Sequence, residues 1–189
     1  DTMINPQYEG RGIFNRVGAK FYEEVKKRGD FVIGFANEKA AKIEVKKFNL
    51  ENLGLINTYI MQTKKLRILK SQPKPDHRYQ IIKIKRFDER FDILWHKASS
   101  IYNILSVRDK NYLNWRYIDK PYGGYDVLGI ELNKEILGYI ILKYVNSELR
   151  KGYIIDIFTP KEQEVTSRLL DEGISYFKKL DIEIIITYI

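Results

Sequence analysis

Gln7, Gly10 and Gly12 stand in the run Asn5-Pro6-Gln7-Tyr8-Glu9-Gly10-Arg11-Gly12-Ile13-Phe14, and their types and spacing suit the capture of an anion. A short apolar run stops at Pro6, passes the two glycines and opens directly into a helical pattern. Glycine lets the backbone turn tightly and come close to a ligand, and a helix start presents unpaired N–H groups and the positive end of its dipole. Arg11 adds a full positive charge beside them. Together these features predict a phosphate site. No Gly-Lys-Ser/Thr follows and no third glycine completes a dinucleotide fingerprint, so the loop belongs to neither of the commoner nucleotide-binding types.

Elsewhere the reactive residues are sparse. The chain has no cysteine, which excludes disulfides, thiolate metal sites and a cysteine nucleophile. His77 and His96 stand alone, without metal-ligand spacing or a Ser/His/Asp arrangement around them. Tyr112, Trp115 and Tyr117 offer stacking surfaces beside Arg108 and Arg116, suited to a sugar, a base or an acidic acceptor. The competing expectation is that Leu113 and Trp115, at least, pack in the core.

The motif Gln7-x-x-Gly10-x-Gly12, behind a strand that ends at Pro6 and ahead of an amphipathic helix, resembles the pyrophosphate-binding motif of the GCN5-related N-acetyltransferases, [QR]-x-x-G-x-[GA]. Gly34-Phe35-Ala36-Asn37 resembles that family's next strand and the asparagine after it. The resemblance implies an α/β fold with a mixed sheet flanked by helices, acetyl-coenzyme A as co-substrate, no metal, and direct attack of an acceptor amine on the acyl thioester. It implies that backbone groups at Met3 and Ile4 serve the acyl carbonyl and pantetheine. Gln7, Tyr8, Glu9, Gly10, Arg11, Gly12, Ile13 and Phe14 would hold the pyrophosphate, and Asn37 would touch the pantetheine arm. The chain departs from the family at the acid that protonates the leaving thiolate: many members place a tyrosine seven residues after the asparagine, where this chain has Glu44. Glu44 and Tyr8 are the catalytic candidates that remain, although a glutamate between Lys42 and Lys46 also reads as a solvated ion-pair partner.

Composition is that of a globular protein, with 44% hydrophobic and 31% charged residues in 189. No apolar run has the length of a bilayer span, and with the absence of cysteine this gives a cytoplasmic expectation. The charge is uneven: basic residues exceed acidic ones by 7 over 1–75 and by 1 over 76–189. A basic field around a phosphate loop attracts a polyanion, coenzyme or nucleic acid alike. The pyrophosphate motif favours the coenzyme, so nucleic acid is not expected. The expected partners are a small-molecule or peptide amine acceptor and a second copy of the chain in a homodimer. Two other readings stay open: a non-catalytic fold relative that binds a ligand, and an aminoacyl-tRNA-dependent transferase.

The elements that must position these residues follow from periodicity and punctuation. A strand is expected to end at Thr2-Met3-Ile4. Residues 11–28 carry Ile13, Phe14, Val17, Phe21, Tyr22 and Val25 on one stripe and stop at Gly29, which predicts a helix. Phe31 to Phe35 reads as a buried strand, Asn37 as the cap of a further helix, and 54–63 as the strand that completes the first unit. After a proline-punctuated linker, 80–85 reads as a strand and 87–98 as a helix. A second helix is expected from Ser106, capped with Asp109, to the residues before Pro121. Strands at 125–132 and 136–145 join at Asn133-Lys134, and 152–158, a helix over 162–179 and a strand over 182–188 finish the chain. The strand–proline–helix–strand pattern occurs twice, at Pro6 and at Pro160. It predicts two pseudo-repeated units: 1–69 as the C-terminal half of a coenzyme-binding domain whose N-terminal half precedes this sequence, 70–79 as a linker, and 80–189 as a second copy without the glycine loop.

Overall fold

The computed structural model describes residues 4–29, 31–65, 78–121, 123–146 and 148–188. Six strands form one sheet: Thr58–Gln62 (β1), Gln80–Lys83 (β2), Tyr125–Leu132 (β3), Glu135–Val145 (β4), Lys151–Phe158 (β5) and Ile184–Tyr188 (β6), in the order β1-β6-β5-β4-β3-β2. The longest pairing is the β3–β4 hairpin, turned by Asn133 and Lys134 at φ 50° and 69°. Two successive left-handed residues give the turn whose twist matches a hairpin, and asparagine tolerates that region better than most side chains. Neighbouring strands are antiparallel except β5 and β6, which are parallel and joined by the helix Gln163–Lys179 (α5). The sheet is therefore mixed, and β5–α5–β6 is a crossover unit.

The chain divides into two compact units, Asp1–Leu55 and Ile56–Ile189. The larger has a core on each face of the sheet. On one face Val165, Leu169 and Phe177 of α5 cover Ile130, Ile140 and Leu142. On the other, Phe91, Leu94 and Ala98 of the helix Glu89–Ser99 (α3), with Leu113 of Lys110–Leu113 (α4), cover Val127, Tyr139, Ile141 and Phe158. Mixed sheet and flanking helices agree with the sequence. In the smaller unit the helices Ile13–Arg28 (α1) and Glu38–Phe48 (α2) meet through Phe48, whose ring lies 6.5 Å from that of Phe14 and 5.0 Å from that of Tyr22. Gly18, one turn from each, leaves room for the ring; a Cβ there would overlap it.

Several expectations need correction. Residues 31–36 form no strand: the segment has no ladder partner among the described residues, and Phe31 and Phe35 are 76% and 83% exposed. A five-residue apolar run becomes a strand only where another strand takes its hydrogen bonds. The strand expected over 54–63 shortens to β1, which lies in the larger unit and pairs antiparallel with β6. Residues 66–77, with His77 and most of the expected linker, lie outside the described residues, as do Thr2 and Met3. The second helix starts later than Ser106, because Asp109 itself is the cap and accepts from the N–H of Tyr112 at 2.7 Å. The strand–proline–helix–strand unit at Pro160 is formed, whereas Pro6 opens a 3-10 turn, Pro6–Tyr8, with Ile4 and Asn5 outside any strand.

Candidate anion-binding site

Asn5 and Pro6 set the entry to the loop. The Asn5 side chain accepts from the N–H of Gln7 at 3.1 Å, its carbonyl accepts from Tyr8 at 2.8 Å, and Pro6 O accepts from Glu9 at 3.2 Å. These bonds tie down the amides of Gln7, Tyr8 and Glu9 inside the 3-10 turn. From Gly10 to Phe14 the N–H groups have no such partner among the described residues. Gly10 and Gly12 sit at φ 74° and 70°, a region that side-chain-bearing residues disfavour, and nothing lies within 4 Å of where a Cβ would stand on either. Glycine is needed there for the backbone path, not for internal packing.

Gly12 is also the N-cap of α1 and supplies no side-chain cap, and the first turn holds no acidic residue. Neither a side-chain cap nor a first-turn acid compensates the positive end of the dipole, which is the electrostatic condition for holding an anion. Arg11 lies with its guanidinium 5.3 Å from the centre of the Tyr8 ring, so these two side chains brace each other at the exposed loop.

Asn37 caps α2, its side-chain oxygen accepting from the N–H of Ala40 at 2.9 Å. Glu44 lies on α2, half-buried, near Tyr22 of α1. Burial raises the pKa of the Tyr22 phenol, and the charge of Glu44 raises it further. This tyrosine was assigned from sequence only to the apolar stripe of α1; its place beside Glu44 depends on the packing of α1 on α2, which spacing along one helix does not reveal. Ile4 is half-buried just ahead of the loop, and Met3 falls outside the described residues.

The larger unit contains a separate polar cluster. Arg108 donates from Nε to Asp156 Oδ2 at 3.0 Å and from Nη2 to Oδ1 at 3.4 Å, and its Nη1 donates to Ser106 Oγ at 2.7 Å. The Tyr139 hydroxyl reaches Asp156 at 3.4 Å. Burial, then the charge of Asp156, raises the pKa of the Tyr139 phenol well above its ordinary value, and burial does the same for Tyr117, so neither is a base near neutrality. With these groups occupied by one another, the cluster pins the segment before α4 onto β5. Asn114, in the π-helical turn Asn114–Ile118, is likewise structural: it accepts from Phe87 N at 3.0 Å and donates to Phe87 O at 2.9 Å. Leu113 is in the core as expected, but Trp115 is 64% exposed and touches Tyr112, at 5.8 Å between ring centres. The wider π turn carries Trp115 outward while keeping Asn114 and Tyr117 inward. His96 is exposed on α3.

No protein-family model matches the chain, and no curated protein does. Among solved structures, it is similar to an aminoglycoside acetyltransferase from an uncultured soil metagenomic sample, at 16% identity over 59% of this chain and 78% of the other, with a TM-score of 0.44. It is also similar to a ribosomal-protein-alanine N-acetyltransferase from Brucella melitensis biovar Abortus 2308, at 14% identity over 55% and 76%, with a TM-score of 0.43. A functionally unknown conserved protein from Staphylococcus epidermidis ATCC 12228 matches more of this chain, 84% of it against 60% of its own length, at 11% identity and a TM-score of 0.48. At such identities and TM-scores the likeness carries neither activity nor substrate with it.

Proposed function

We propose that the chain is an acyl-coenzyme A-dependent N-acyltransferase of the GCN5-related kind, moving an acetyl group from acetyl-coenzyme A to the amine of a small molecule or peptide. The observation that carries this reading is the loop from Gln7 to Gly12: two glycines at positive φ lead a run of open N–H groups into an uncapped helix that has no acid in its first turn. A pyrophosphate needs such donors and such a field. Bound there, the coenzyme supplies an activated acyl thioester. The residues of the chain divide the remaining work. The amides from Gly10 to Phe14 and the Arg11 cation hold the diphosphate, with Gln7, Tyr8 and Glu9 shaping the turn. Asn37 keeps its amide nitrogen for the pantetheine arm while its oxygen caps α2, and the backbone at Met3 and Ile4 orients the acyl group. Glu44 takes the proton of the acceptor ammonium, and Tyr8 is the second candidate for proton transfer.

A second reading, a coenzyme-binding module without transfer, is favoured by one residue: Glu44 occupies the position at which the resembled family carries its tyrosine acid. The two readings share the donor site and differ in turnover.

Calorimetry of the full chain with acetyl-coenzyme A tests the site. The parent is expected to bind, and Gly10→Glu to bind at least about tenfold more weakly, because it strains the left-handed backbone and adds a like charge facing the diphosphate. Thiol release in the presence of amine acceptors then separates transferase from binding module. A folded parent that does not bind acetyl-coenzyme A overturns both.

A further inference from the structure

We draw no further inference here: the strongest candidate, the surface patch of Tyr112 and Trp115 beside Arg116 on the larger unit, carries nothing because nothing in the structure shows what covers it.

Discussion

Asn114, beside a stretch that looks functional in sequence, is structural in space. Within the run Asn114-Trp115-Arg116-Tyr117, stacking and charge suggest a ligand surface, yet Asn114 uses both ends of its amide to satisfy Phe87 N and O at the start of α3's approach to the sheet. It is 7% exposed, so water does not replace the bonds if it is removed. Asn114→Ala leaves a buried donor and acceptor unpaired and is expected to destabilise the larger unit by about 2–4 kcal/mol in urea unfolding, with Asn114→Asp, which keeps only the acceptor, also destabilised. A loss within about 0.5 kcal/mol would mean that Phe87 finds other partners. The loop at Gly10 and Gly12 was legible from sequence because left-handed glycines ahead of a helix are a local property. The Tyr22–Glu44 approach and the outward turn of Trp115 were not, since one depends on two helices packing and the other on a π-helical register.

Elements were legible where their cause is local and misread where it is not. The Asn133-Lys134 hairpin, the Gly29 stop of α1 and the Asn37 cap of α2 each follow from a few adjacent residues. Phe31 to Phe35 is more apolar than Thr58 to Gln62, yet only the second is a strand, because β6 shares its hydrogen bonds. Composition cannot name a partner more than a hundred residues away along the chain. The same holds for the glycines that let α5 lie close on the sheet. A Cβ on Gly138 of β4 would come within 2.8 Å of the Phe158 carbonyl oxygen and 3.1 Å of Leu169 on α5. The carbonyl belongs to the β5 backbone and cannot swing away as a side-chain tip could. Gly138→Ala is therefore expected to cost about 1–3 kcal/mol through overpacking, read as a lower urea midpoint with an unchanged slope. An unchanged midpoint would show that β4 and β5 separate without cost.

At the scale of the whole molecule, burial and candidate chemistry lie in different units. Among the described residues every fully buried side chain falls between Thr63 and Ile185, whereas α1 and α2, which frame the glycine loop, bury none. Local stability follows buried apolar contact, so the two units should open at different free energies. Hydrogen exchange of the full chain is expected to show the amides of Ile13–Arg28 and Glu38–Phe48 exchanging well before those of β4. A ligand that binds only the folded loop must then shift that balance. At acetyl-coenzyme A about 100 times its dissociation constant, linkage stabilises the binding-competent form by about 2.7 kcal/mol, which slows exchange through that opening about 100-fold. Protection should appear in α1, nearest the loop, while β3 and β4, which already exchange only through opening of their own unit, stay unchanged. Uniform exchange without ligand would instead make the chain one cooperative body. Protection confined to the larger unit would move the proposed coenzyme site away from Gly10 and Gly12.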